Sequence, residues 1–230
     1  MANLQPCSSE AVQVQFPSEN ITIAGGVAIF HIASQRVVVC RHSVHKYWFL
    51  PKGRRDAGEE SGKGAEREGY EESGYRNRLL PLSIKHHQPQ AHPRTSAQPP
   101  TAEPIWVQLQ PLSRTRQYLL FWYIAETLPP NIEDEINARP SHQYQAPPAY
   151  PPDLKLRDRV LMEPKNYEPM HHKNTGVDDD ELLFESYLLP IDEALEKLRR
   201  SQVMADVVRR GWKGICERWA AEEEGTMRSE

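Results

Sequence analysis

Sixteen of the twenty prolines in this 230-residue chain fall between Pro81 and Pro169. Proline has no backbone N–H and a fixed φ, so such a stretch resists long helices and central strands. Regular structure is therefore expected on either side of it, with the middle of the chain supplying insertions at about 86–104 and 128–178. Each is expected to be either mobile or folded over the surface as a lid. Between them RQYLLFWYIAE (116–126) is apolar along most of its length and predicts a central strand.

Outside the insertions the pattern alternates between strand and helix. ITIAGGVAIFHI, QRVVVCRH and KYWFL read as three strands from Ile21 to Leu50, with Gly25-Gly26 bending or thinning the first. LLPLSI (79–84), IWVQLQ (105–110) and LLFESYLL (182–189) read as further strands. KGAEREGYEES (63–73) has helical composition and a stop at Gly74, and PIDEALEKLRR follows the last strand as a helix. A terminal helix over about 201–222 carries Val203, Val207, Val208, Trp212, Ile215, Cys216 and Trp219 as one apolar stripe, which predicts a packing surface. This order implies an α+β fold, a mixed sheet covered by helices, in one domain over 1–230 with its core in about 21–126 and 180–222.

A formal net charge of −4 argues against a general nucleic-acid binder. Cys7, Cys40 and Cys216 have neither zinc spacing nor the density of a disulfide scaffold, which fits a reducing compartment. The first twenty residues lack the apolar run of a signal peptide, and no stretch approaches the roughly 18 apolar residues of a membrane span. The expected location is the cytoplasm, with the nucleus also open; the oligomeric state is left undefined. His86, His87, His92, His171 and His172 fall in the insertions, and adjacent histidines point apart, which argues against zinc.

The chemistry concentrates in PKGRRDAGEESGKGAEREGYEESGY, residues 51–75. At about 100° per helical residue, Glu68, Glu71 and Glu72 fall within roughly a 100° arc, so three carboxylates share one helix face. Such crowding is unfavourable without a compensating cation. A hard divalent ion with oxygen ligands meets that need. Gly53 places a turned loop in front of the helix and lets backbone carbonyls approach.

These residues resemble the Nudix box, G-x5-E-x7-R-E-U-x-E-E-x-G-U with U usually aliphatic: Gly53, Glu59, Arg67, Glu68, Glu71, Glu72 and Gly74 stand at its spacings. Chance agreement at seven positions has a probability on the order of one in a hundred thousand at average residue frequencies. Gly69 and Tyr75 depart from the pattern at U positions, and a glycine inside a helix costs about 1 kcal/mol relative to alanine. Lowered rigidity, not lost activity, is the expectation. The resemblance extends to AGGVAIF, WFLPKG and FESYLLPIDEALEKL, and implies an α/β/α sandwich.

The resemblance also implies roles. Glu68 and Glu72 become the principal ligands of Mg2+ or Mn2+, Glu71 a further ligand or base, and the Lys52 carbonyl another ligand; Arg67 and Glu59 orient the carboxylates. Asp178 to Glu181 or Glu185 is a further source of a general base. The implied reaction is hydrolysis of a phosphoanhydride by metal-activated water. Arg41, Lys46, Lys52, Arg54 and Arg55 form a basic surplus around Gly53 suited to a polyphosphorylated small molecule. The string PKG resembles the branch acting on diphosphoinositol and diadenosine polyphosphates, with the former ranked first. A non-catalytic phosphate-binding scaffold is the alternative of a different class.

Overall fold

The computed structural model of the chain describes residues 10–89, 99–139 and 144–227. Cys7, His92 and the centre of the first insertion lie outside the described residues. Among the described residues eight strands form one mixed sheet: β1 (Ile21–His31), β2 (Arg36–His42), β3 (Trp48–Phe49), β4 (Lys52–Arg54), β5 (Asn77–Leu79), β6 (Trp106–Pro111), β7 (Gln117–Thr127) and β8 (Phe184–Pro190). The helices are α1 (Ser61–Ser73), α2 (Pro130–Asn137), α3 (Leu156–Leu161), α4 (Ile191–Lys197) and α5 (Gln202–Met227).

The apolar strands β1 and β7 run parallel at the centre, in register from Ile21 with Gln117 to Phe30 with Glu126. Period-two alternation divides their side chains between two cores. Val27, Ile29, Val38, Tyr123 and Ala125 pack on the side of α1, together with Ala65. Ala28, Phe30, Val37, Val39, Trp122 and Ile124 face the other way, into the core built with α4 and α5. The expected helix–sheet–helix sandwich is thus present.

Gly25 and Gly26 thin β1 without breaking it. A Cβ at Gly25 would lie 2.7 Å from the Ala65 nitrogen, and one at Gly26 would lie 2.6 Å from the Trp122 ring. The missing side chains let α1 press onto one face and Trp122 onto the other. On α5 the predicted stripe packs as expected through Val207, Val208 and Ile215, with Phe30 stacked on Trp212 at 6.0 Å. Cys216 is the exception, standing exposed one position past Ile215 on the outer flank of the helix.

Two expectations change. LLPLSI is not a full strand: β5 ends at Leu79, because Pro81 has no N–H to give the ladder, although Leu80 and Leu82 remain buried. The 128–178 insertion is not structureless where it is described. Pro129 and Pro130 open α2, where a missing N–H is harmless, and α3 sends Leu156 and Arg159 into the core.

A buried ionic chain fastens α3. Arg159 Nε lies 2.7 Å from Glu126 Oε2 on β7, and Arg78 Nε donates to Glu126 Oε1 at 2.7 Å. Arg159 also donates to Glu163 Oε1 at 2.8 Å and to the Thr127 carbonyl at 2.8 Å. Glu163 in turn lies 2.9 Å from His31 Nε2 at the end of β1. Charges this deep are tolerated only when paired, so α3 cannot leave without stranding them.

Candidate active site

Strand β4 runs antiparallel to β1, setting Gly53 against Gly25 and Lys52 against Gly26. This places the 52–54 backbone beside α1, whose C-terminal end is closed by Gly74 in the left-handed region at φ 71°, its N–H donating to the Tyr70 carbonyl at 2.7 Å. Gly69, inside α1, is buried: a Cβ there would lie 2.8 Å from Val27 and 2.7 Å from the Asn77 amide. Glycine at this position lets α1 seat on the sheet, which offsets its propensity cost.

Arg67 is the hub of the acidic face. Its guanidinium forks onto Glu59, with Nε to Oε1 at 3.2 Å and Nη2 to Oε2 at 3.0 Å. Nη1 donates to Glu68 Oε1 at 3.0 Å and to Glu71 Oε2 at 2.7 Å, while Nη2 also reaches the Arg54 carbonyl at 2.9 Å. Burial would depress Arg67, but Glu59, Glu68 and Glu71 outweigh it and hold it charged. Burial likewise raises Glu59, yet the Arg67 fork and the Asp56 N–H bring it below its ordinary range.

The three carboxylates of the motif on α1, Glu68, Glu71 and Glu72, therefore separate. Glu71 turns toward Arg67, its i−4 neighbour, and its backbone carbonyl accepts from Thr175 Oγ1 at 2.8 Å. Glu68 and Glu72 instead meet Glu181, each offering an oxygen within 4.8 Å of the others. Glu181 begins the 3-10 turn Glu181–Leu183 that leads into β8. It belongs to the acidic run read as a source of a base. Nothing in its own neighbourhood of sequence marks it as a partner of α1.

Burial dominates the electrostatics of Glu68 and Glu72. Glu68, 6% exposed, is pushed up to about 7, with Arg67 pulling the other way. Glu72 opens partly to the cleft, yet the protein packed around its carboxyl pushes it up to about 8. Lys52 opposes this, both by its charge and by its N–H, which donates to Glu72 Oε2 at 2.7 Å. Three clustered carboxylates, of which Glu68 and Glu72 have their charged state disfavoured by burial, form an oxygen-rich donor set that fits a hard divalent cation.

Beside Glu72 lies a cleft of about 780 Å³. Of the expected basic residues it gathers Lys46 and Lys52, and it adds three not foreseen, Lys197, Arg199 and Arg200. Arg41 sits outside, 3.7 Å from Glu185 and 5.6 Å from the Trp48 ring centre. Arg55 donates to the Glu59 carbonyl at 2.6 Å and lines a separate hollow with Phe121 and Tyr123; Arg54 is exposed and contributes its carbonyl to Arg67. The LEKLRR run was the visible signal for the missed residues, but sequence alone could not place it beside the motif.

The second insertion reaches the same region. The His172 N–H donates to the Gly74 carbonyl at 2.8 Å and its ring lies 2.7 Å from Glu133, while His171 Nε2 is 3.1 Å from Ser186 Oγ. His42 Nδ1 accepts the N–H groups of Val44 and His45, so its proton sits on Nε2, 3.3 Å from Asp180 Oδ1. These contacts fix both ends of the segment that carries Glu181.

Comparisons with known proteins identify the family. The profile of the NUDIX domain family matches residues 22–163. A NUDIX hydrolase from Nitrosomonas europaea aligns with a TM-score of 0.43 at 13% identity, covering 83% of this chain and 87% of that one. A NUDIX-family hydrolase from Clostridium perfringens aligns at 0.40 and 13% identity, covering 84% and 95%. A UDP-X diphosphatase aligns at 0.40 and 12% identity, covering 91% and 68%. No curated protein sequence matches.

Proposed function

The chain belongs to the NUDIX family of hydrolases, and on that footing we propose that it cleaves a diphosphate linkage in a polyphosphorylated small molecule, with diphosphoinositol polyphosphate as the preferred substrate. The observation that carries the reading is the meeting of Glu68, Glu72 and Glu181 within 4.8 Å at the edge of a cation-lined cleft.

Glu68, Glu72 and Glu181, with the Lys52 carbonyl, would hold Mg2+ or Mn2+. When bound, such an ion neutralises phosphate charge and acidifies water. The chain's own residues prepare that site. Arg67 fixes the Glu68 and Glu71 carboxylates and is itself held by Glu59, so the acidic face is oriented before any ligand arrives. The Lys52 N–H immobilises one Glu72 oxygen. Glu71, kept in place by Arg67 and raised by burial, is the carboxylate of the motif left to accept a proton. Lys46 and Lys52 supply positive charge toward substrate phosphates from the cleft wall.

A dinucleoside polyphosphate is the second reading, favoured by Tyr47, which lines the cleft and is 45% exposed although its ring already packs on His45 and Phe49. The test is phosphate release from diphosphoinositol polyphosphates and diadenosine polyphosphates at equal concentration, with magnesium or manganese, by the parent and by Glu72→Gln. Turnover by the parent and its loss in the variant are expected. Equal turnover by both would remove Glu72 from the site, and no turnover by the parent on any diphosphate would favour a phosphate-binding scaffold. An adenosine preference would reverse the substrate order.

A further inference from the structure

Arg200 closes the 3-10 turn Leu198–Arg200 that follows α4, and it lines the cleft beside Glu72. We propose that Arg200, together with Lys46 from the turn between β2 and β3, forms a subsite for phosphate groups other than the diphosphate being cleaved. The proposal rests on the hydrolytic reading above for the identity of the cleft, but its evidence is separate.

Cations at the end of a helix have an ordinary explanation: they complement the helix dipole and pair with carboxylates one turn back. That explanation covers Lys197, which lies 3.7 Å from Glu193 and 5.4 Å from the Trp48 ring centre. It covers Arg199, 2.7 Å from Glu196 with both side chains exposed. It does not cover Arg200, for which no carboxylate partner is found among the described residues. Lys46 is in the same position: its N–H is used by the His42 carbonyl at 2.8 Å, its backbone takes φ 61°, and its ammonium has no acidic partner among the described residues. The unusual backbone is imposed by the turn, and it sets this side chain at the cleft wall.

The charge balance of the cleft points the same way. Five cations line it, Lys46, Lys52, Lys197, Arg199 and Arg200, against the carboxylates of Glu72, Asp180 and Glu196. Each of those carboxylates has a protein partner: Lys52 N–H for Glu72, His42 for Asp180 and Arg199 for Glu196. The surplus positive charge is left for a ligand. At about 780 Å³ the cleft lies in the range that holds a whole small molecule rather than one diphosphate. Its tryptophan is already engaged, with Arg41 at 5.6 Å, Lys197 at 5.4 Å and Tyr187 at 5.2 Å from the ring. Anionic groups therefore suit this wall better than an aromatic base.

Inositol hexakisphosphate, which has clustered phosphates and no diphosphate bond, is the probe. Its binding is measured by calorimetry in metal-free buffer to the full chain. Arg200→Ala and Lys46→Ala are each expected to weaken binding about tenfold, the loss of one charge-assisted phosphate contact, and to reduce its salt dependence. Arg200→Lys should retain most of the affinity. Arg157→Ala, an exposed cation of α3 outside the cleft, should leave it unchanged. Unchanged affinity in Arg200→Ala, or an equal loss in Arg157→Ala, overturns the subsite. Turnover of a diphosphate substrate is followed in parallel: its absence from the parent counts against the hydrolytic reading while a selective Arg200 effect still stands, and turnover with no Arg200 effect does the reverse.

Discussion

The carboxylate of Glu68 occupies the space that a side chain at Gly53 would need. The glycine that opens the motif and the acid in the middle of α1 are thus one steric unit, formed where β4 passes over the helix. Gly53→Ala should push Glu68 away from Glu72 and Glu181. Activity and metal affinity are expected to fall about 10–100-fold, as for other losses of ligand orientation, and the stabilisation of the fold by magnesium or manganese to shrink accordingly. Thermal melts with and without the metal check this. A variant with the parent's metal response would show that Glu68 need not stay where the glycine lets it lie.

Arg67 ties Glu59, Glu68 and Glu71 together through one guanidinium. Lysine preserves the charge but cannot fork, so Arg67→Lys is expected to lower kcat by about 10–100-fold with a smaller change in KM. Steady-state kinetics on the best diphosphate substrate separates the two constants. An effect confined to KM would assign Arg67 to substrate contact instead.

Arg159 is 2% exposed and serves Glu126, Glu163 and the Thr127 carbonyl at once. Arg159→Ala leaves Glu126 buried with one cation fewer, at a cost of about 3–5 kcal/mol in unfolding free energy. Urea unfolding gives the loss. Limited proteolysis of the same variant should cut first within 144–176, and an unaltered cleavage pattern would count against α3 as the anchor of the insertion.

Stability should also fall in acid through Glu163. Burial raises its carboxyl, but the His31 bond and the charge of Arg159 outweigh this and bring it below its ordinary value of 4.5. A carboxyl depressed in the folded state stabilises at pH above its unfolded value, and that contribution disappears as pH falls through the folded one. Melting temperatures between about pH 7 and pH 3 should therefore drop more steeply for the parent than for Glu163→Gln. Parallel slopes would place the acid sensitivity elsewhere.

What could be read from the chain alone follows the range over which its signals act. Gly53, Glu59, Arg67, Glu68 and Glu72 are set by spacing along one loop and one helix, so their meeting was legible. Glu71 was placed with Glu68 and Glu72 because a helical wheel gives only an arc; the side chain's turn toward Arg67 at 2.7 Å depends on an i,i+4 pairing that competes with the cluster. Glu181 and Arg200 come from chain segments far from the motif, and only the pairing of β8 with β2 and the docking of α4 bring them near. The sandwich was readable from the order of strands and helices and from the continuous apolar runs of β1, β2 and β7, which need cover on both faces. The helices inside the insertion were not legible because α2 and α3, at 8 and 6 residues, are too short to show a period, and because prolines at a helix start do not oppose it.

From residue 159 onward the chain leading to β8 is held at Arg159 against the sheet and at His172 and Thr175 against the end of α1 before it delivers Glu181. It behaves as a strut of fixed span. Shortening it would withdraw a carboxylate from the acidic trio while leaving every residue of the 53–74 motif in place, so an intact motif in a trimmed chain would be a poor guide to whether the catalyst survives.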